Sequence, residues 1–461
     1  MATIEGRGMA PLVRQLAAEI HAGIWPPGSR LPPERTLAAK VGVHRSTVAL
    51  AYDELRAMGL VDRRQGSGTY VHGDLWGLTP DWPRYLAEGG FRPTEPLRRR
   101  MREVRLRPGI IDLTRSDLGP ELWPHLSLSG LEDAVPAALG YADPFGLPAL
   151  RAAIAVQYRQ EYGIAVEPDD VFLTHGAQQA LYLVARALLR PGDAVALEHP
   201  SFYYSLELLQ SAGIRMLPVA MDGEGVLPDA LDAVMERHRP AMVWLNPTFH
   251  NPTSTTMGLL RRREVLSVCH RWNVPVLEDD AYGNLGVDQD PPPPLKILDQ
   301  TQRVIHVSTL SKILAPGLRI GWILAPRPVL ERLSDVRSQV DLGDAGLTQA
   351  WAAGFLTSPA WPQHRTFVRT SLRSRRDALA AALASIAPGS FTMSLPAGGL
   401  FAWFQWERQE TDRARLERAV AAGVVYAPGR IYGMPDGYGR INYVTEAASR
   451  LQAGLQVLAQ T

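Results

Sequence analysis

From residue 109 onward, five short apolar runs, "AVALEHP", "AMVWLNP", "VPVLEDDAY", "RVIHVSTLS" and "RIGWILA", are separated by stretches of helical periodicity. Runs this short and this apolar suit a sheet covered on both faces, with the intervening helices as crossovers. The pattern predicts a largely parallel α/β sheet. In such sheets ligand-binding residues gather beyond the carboxyl ends of the strands. Unusual polar residues collect at such ends here: "THGAQQAL" (174–181), "EHPSFYYS" (198–205), "NPTFHNPTS" (246–254), "EDDAY" (278–282) and "STLSK" (308–312). From about 360, "HRTFVRTSLRSRRDALAAALASI", "SLPAGGLFAWFQW" and "GRINYVTE" predict a smaller α+β part. The large part is expected over about 140–330, and the small part over about 109–139 and 360–461.

The last of those strand ends contains a rare residue. Of 48 cationic side chains only three are lysine, Lys40, Lys296 and Lys312. In a chain that otherwise uses arginine, a retained lysine points to what arginine cannot do, which is to lose its proton and attack a carbonyl carbon. Lys312 is therefore a candidate Schiff-base nucleophile.

The first segment reads differently. Helix periodicity over about 11–22 is stopped by Gly23 and the Pro26-Pro27-Gly28 turn, a short helix is expected at 34–41, and a third at 45–58 after Gly42. In the third, Val48, Ala51, Leu55 and Met58 fall on one stripe, with Gly59 as its cap. Short helix, glycine turn, longer helix is the helix-turn-helix arrangement, and "LVDRRQGSGTYV" adds a two-stranded wing. The domain is placed at 9–72. Residues 73–108 hold five prolines, two tryptophans and "PLRRRMREVRLRP". They read as a linker with one short helix at 95–105, whose arginines either solvate that helix or touch DNA phosphates. "IEGR" at 4–7 has the form of a protease-site scar, and "PPPP" at 291–294 that of a stiff surface loop.

Composition bounds the rest. A single cysteine, Cys269, excludes an intrachain disulfide and a cysteine-rich zinc site, so no metal is expected. No apolar stretch approaches a membrane span and no signal peptide precedes the first helix, so the expectation is a cytoplasmic protein. The net charge of +1 gives no general attraction to polyanions, and any nucleic-acid binding must come from a local patch.

In this order, the strand-end motifs resemble those of a fold-type I aminotransferase that uses pyridoxal 5'-phosphate (PLP). With "GSRLPPERTLA", "VHRSTVALAYDEL" and "QGSGTYV" ahead of them, the chain is similar to the MocR/GabR-type regulators, in which a GntR-type winged helix is fused to an aminotransferase-like domain. The resemblance covers about 9–71 and 109–455. It implies a PLP Schiff base at Lys312, Asp279 (or its neighbour Asp280) at the pyridine nitrogen, and Tyr282 with Asn251 at the ring oxygen. Gly176, Ala177, Gln178, Thr309 and Arg319 would hold the phosphate, Phe202 would stack on the ring, and Arg440 would pair with a substrate carboxylate. Tyr141 matches the position that reaches the phosphate of the other subunit in a homodimer. On DNA, Arg45, Ser46 and Thr47 would enter the major groove of a double-stranded operator, Arg35 would contact the neighbouring backbone or a base edge, and Gly68 would allow close approach of the wing tip. Two departures stand out: Ser254 replaces the usual glycine after "NPT", and Pro33 replaces a common serine before the second helix. Singly, several of these motifs also occur as plain turns, helix caps or core aromatics. The function implied is a PLP-dependent transcriptional regulator sensing an amino acid or PLP itself. A working aminotransferase with a secondary DNA-binding domain is the alternative.

Overall fold

The computed structural model describes residues 8–64, 66–73, 94–125, 138–141, 143–386, 389–408 and 410–461. The chain divides into two compact units, Met1–Gly90 and Phe91–Thr461.

In the first unit α1 (Met9–His21), α2 (Glu34–Val41) and α3 (Arg45–Ala57) are followed by an antiparallel hairpin, β1 (Val61–Arg64) and β2 (Gly68–Val71). Leu12, Leu16, Leu37, Val48, Ala51, Tyr52 and Leu55 are buried in one small core. Met58 differs from expectation. It lies just past the end of α3 and is exposed, and Tyr52 takes the inward place instead, its hydroxyl donating to the Pro32 carbonyl at 2.7 Å. Gly59 then turns the chain with φ +71°. Pro33, standing where a serine would cap α2, makes no side-chain cap bond.

The second unit opens with α4 (Pro96–Val104), which the sequence pattern assigns to a linker. Its Leu97, Met101 and Val104, spaced four and three apart, are buried in the core of this unit. Three arginines in and just after it are held as well. Arg98 lies 2.9 Å from a carboxylate oxygen of Glu207, Arg100 2.6 Å from Glu417, and Arg105 near the end of the helix 3.6 Å from Asp112. The packed part of this unit therefore begins near residue 94, ahead of the expected boundary at 109. Strand β3 (Ile111–Asp112) runs parallel to β14 (Val424–Val425), which ties the start of the unit to its C-terminal part.

The main sheet has eight strands: β4 (Val171–Thr174), β5 (Ala194–His199), β6 (Arg215–Asp222), β7 (Gly225–Val226), β8 (Met242–Leu245), β9 (Val276–Asp279), β10 (Val304–Thr309) and β11 (Gly321–Leu324). Their order is β4-β11-β10-β9-β8-β5-β6-β7. The pairs from β10 through β9, β8 and β5 to β6 are parallel, and β11 is antiparallel to both β10 and β4. Strands β4, β5, β8, β9 and β11 are buried at nearly every position, which explains why they read as continuous apolar runs. A second sheet, β12 (Phe391–Met393), β13 (Phe401–Trp406), β16 (Tyr438–Asn442) and β15 (Ala427–Pro428), forms the smaller α+β part with the long helix Ala360–Ala384.

Candidate cofactor site and DNA-reading face

A cavity of about 260 Å³ lies beyond the carboxyl ends of the parallel strands. Its lining includes Ala177 and Gln178 after β4, Phe202 after β5, Asn251 after β8, Asp279 and Tyr282 at and after β9, Thr309 at the end of β10, and Lys312 and Arg319 after it. The connection between β10 and its antiparallel neighbour β11 carries both Lys312 and Arg319, so the pairing of two strands fixes where both cations lie.

Burial drives the Lys312 amine down to about 8, with the cations Arg440 and Arg319 adding to the effect and Asp117 and Asp279 opposing it. Its Nζ donates to the Ser116 carbonyl at 2.8 Å. Burial raises Asp279 to about 6 in spite of Lys312, and its Oδ1 is buried without a hydrogen-bond partner among the described residues. Asp280 faces another cleft, among Tyr158, Tyr162 and Trp322. Asn251 donates weakly to the Tyr282 hydroxyl, 3.4 Å away. Ser254 has φ +60°, the left-handed conformation that favours glycine, and its hydroxyl donates to the Phe401 carbonyl at 2.6 Å. That bond ties the turn down, so the departure from the family pattern leaves Asn251 in the cavity wall.

Gly176 precedes the helix Ala177–Leu188 with φ +81°. A Cβ there would stand 2.9 Å from Arg319 Nη2, which itself donates to the His175 carbonyl at 2.6 Å. Glycine thus lets the guanidinium lie against the helix N-terminus, where free N–H groups favour an anion. The turn is braced from behind. His175 Nε2 lies 3.3 Å from Asp344 Oδ1, and Arg337 holds both Asp341 (3.2 Å) and Asp344. The three carboxylate and imidazole groups come close together, and the one guanidinium of Arg337 pairs with both carboxylates.

Arg440 is buried on β16. Nη1 donates to Asn251 Oδ1 (2.9 Å) and Nη2 to the Thr114 carbonyl (2.6 Å), while Nε has no partner among the described residues. The guanidinium lies 4.0 Å from the Phe401 ring centroid, and no acid among the described residues forms an ion pair with it. Tyr141 stands apart, 91% exposed and outside the cavity wall. Thr309 lines the cavity, but its hydroxyl donates to the Ile320 carbonyl at 2.6 Å and accepts from Ser311 N–H at 3.1 Å. Ser311, Ser201, Tyr203 and Asn246 also line the cavity and were not singled out from the sequence. Asn246 had a visible signal as the first asparagine of "NPTFHNPTS"; it accepts from Asn251 N–H (2.7 Å) and donates to the Asp279 carbonyl (2.6 Å).

These groups fit PLP: a nucleophilic amine, an unpartnered carboxylate on the same cavity, paired donors at Asn251 and Tyr282, and an anion cradle at Gly176 and Arg319.

In the first unit a cleft of about 460 Å³ is lined by Arg35, Arg45 and Gly68 together with Arg30, Arg63 and Arg64. The last three were missed. A Cβ on Gly68 would stand 2.9 Å from Arg30 Nε, so this glycine first makes room for an arginine of the chain itself. Ser46 is exposed, with its hydroxyl 2.8 Å from His44 Nδ1, and Thr47 is half-buried; neither lines the cleft.

Comparison with known proteins agrees with both halves. Residues 10–71 match the family model of bacterial regulatory proteins of the gntR family, and residues 123–453 that of aminotransferase class I and II. The chain is 36% identical over 456 residues to YdfD of Bacillus subtilis, described as an uncharacterized HTH-type transcriptional regulator, covering 97% of this chain and 94% of the relative. It is 27% identical to the HTH-type transcriptional regulator NorG of Staphylococcus aureus strain N315, over 92% of this chain and 98% of that one. A solved multiple substrate aminotransferase from Thermococcus profundus superposes with TM-score 0.77 at 27% identity, over 82% of this chain and 98% of its own. No helix among the described residues is long and apolar enough to cross a membrane. A GntR reader joined in one chain to an aminotransferase fold, in a sequence matched along its length by HTH-type regulators, places this protein among the MocR/GabR-type transcriptional regulators.

Proposed function

We propose that this DNA-binding regulator holds PLP at Lys312 and answers to an amino acid whose carboxylate is taken by Arg440. The observation that carries the reading is the position of Lys312 and Asp279 on one cavity, with Asn251 joining its wall to a buried Arg440 that has no acidic partner among the described residues. When bound, PLP supplies an aldehyde for an amine and a pyridinium ring that withdraws electrons from the ligand. Lys312 offers a more readily deprotonated amine than an ordinary lysine. Asp279 would hold a proton at the ring nitrogen, Asn251 and Tyr282 would donate at the ring oxygen, and Phe202 would cover a ring face. Gly176, Ala177, Gln178 and Arg319 would bind the phosphate through N–H groups and a guanidinium, and Thr309, whose hydroxyl donates to the Ile320 carbonyl, would stand beside it. A homodimer is part of the reading: Tyr141, which is exposed, matches the family position that reaches a neighbouring subunit, and two readers per dimer suit two half-sites on DNA.

The test is a screen of amino acids against the absorbance of the PLP-bound protein, followed by footprinting on its operator with each amino acid that changes the spectrum. An unchanged footprint in every case refutes the sensing role. The complete set of catalytic residue types favours a second reading, an active aminotransferase. Steady-state turnover with the responding amino acid and a keto acid separates the two.

A further inference from the structure

Among the described residues, the cleft of the reader is lined by five arginines and one carboxylate, Glu34 at the first position of α2. Glu34 does not simply neutralise its surroundings. Its Oε2 accepts from Arg45 Nε at 3.0 Å, and its Oε1 from Arg63 Nη2 at 2.6 Å. Arg63 in turn reaches Asp53 of α3 with Nη1 at 3.2 Å. One acid thus connects the start of α2, the start of α3 and the first strand of the wing. The bond to Arg45 uses Nε, an edge of the guanidinium that faces back along the side chain. Its terminal pair, Nη1 and Nη2, has no hydrogen-bond partner among the described residues, and the side chain stays 57% exposed. That terminal pair is the fork that meets the two major-groove acceptors of a guanine.

We infer that Glu34 is a positioning residue that aims Arg45 at a guanine, and so helps to set the sequence preference of the reader. The inference rests on Arg45 being a base contact. A carboxylate beside DNA repels phosphate, so its presence lowers affinity for any sequence. Restraining Arg45, by contrast, favours only the sequence that matches the restrained fork. The two effects have opposite signs and can be measured separately.

The experiment uses the full-length protein and a duplex obtained by in vitro selection with the wild type, compared with a scrambled duplex of equal length at one salt concentration. Glu34→Gln should bind the scrambled duplex more tightly while its preference for the selected duplex falls about 5- to 150-fold, the range of one bidentate base contact. Glu34→Asp keeps the charge but draws it back, and should lower the preference with no gain on the scrambled duplex. Arg45→Ala should relax the same base pair as Glu34→Gln in repeated selections, and Glu34→Gln added to Arg45→Ala should change the preference no further. Equal gains on both duplexes with Glu34→Gln, or additive effects in the double variant, overturn the inference. If Arg45→Ala alone leaves the preference intact, the assignment of Arg45 itself fails; if Arg45→Ala lowers it and Glu34→Gln does not, only the role of Glu34 fails. Melting of each variant with the wild type excludes unfolding as the cause.

Discussion

Arg440 and Asn251 are 189 positions apart and share a 2.9 Å hydrogen bond from Nη1 to Oδ1. The bond joins the small sheet to the loop after β8, and it links the side chain proposed for a ligand carboxylate to one proposed for the cofactor ring. A ligand that engages Arg440 therefore acts on a group that also orients Asn251.

Arg440→Gln removes the charge and shortens the reach while leaving Phe401 and Tyr432 in place. A charge-assisted hydrogen bond contributes about 1.5–3 kcal/mol, so the affinity for the responding amino acid should fall roughly 10- to 100-fold with PLP still bound. Spectral titration reads both quantities, and unchanged affinity would remove Arg440 from the ligand site.

Lys312→Ala should abolish the borohydride-fixed PLP adduct, which mass spectrometry would otherwise place on Lys312. The pH dependence has a definite sign. Because the folded amine is depressed to about 8 from 10.5, uptake of PLP should rise with pH and level off above about 8. For the same reason the PLP-free unfolded state binds more protons between those values, and the contribution of Lys312 to stability grows as pH rises through that window. Lys312→Met should flatten this trend in a melting series. A reduced adduct on Lys296 or Lys40 would sink the assignment.

Asp279→Asn and Asp280→Asn share one effect and differ in another. Both carboxyls are raised by burial, Asp279 to about 6 and Asp280 to about 7. A carboxyl raised in the folded state loses its contribution as pH climbs through that value. At pH 8 either amide should therefore stabilise the PLP-free protein, by on the order of 1–3 kcal/mol. Only Asp279→Asn should weaken PLP retention and shift its spectrum. The opposite pattern would mean that the proton at the ring nitrogen is held by Asp280.

Met101→Ala tests where α4 belongs. Truncating a buried methionine costs about 2–5 kcal/mol. That loss should fall on the transition of the aminotransferase-like unit and leave the reader's own transition where it is, as calorimetry of the full chain would show. A shift of the reader transition instead would return α4 to the N-terminal unit.

Much of this architecture was legible because each element is specified locally. Strand β8 is apolar at every position because both of its faces are covered, and Lys312 was conspicuous because so few lysines exist. The docking of α4 was harder to read. Leu97, Met101 and Val104 do have helical spacing, but six arginines surround them, and their acidic partners Glu207 and Glu417 lie more than 100 and 300 residues away. The antiparallel course of β11 was not legible either, since its apolar run is indistinguishable from a parallel one. Glu34 was not legible as a site residue, because its contact with Arg63 depends on the hairpin bringing that arginine back to it.

The three lysines differ in a way that matters at the bench. Lys312 donates to a carbonyl inside the cavity, Lys296 is half-buried with its amine on the Val304 carbonyl at 3.0 Å, and Lys40 is exposed on α2. With PLP shielding Lys312, an amine-directed fluorophore has one open lysine to find, and it sits on the reader. In the proposed homodimer, a dye on Lys40 of each subunit, attached once the α-amine is blocked, would make the distance between the two readers a spectroscopic quantity, measurable with and without amino acid and without engineering a new attachment point.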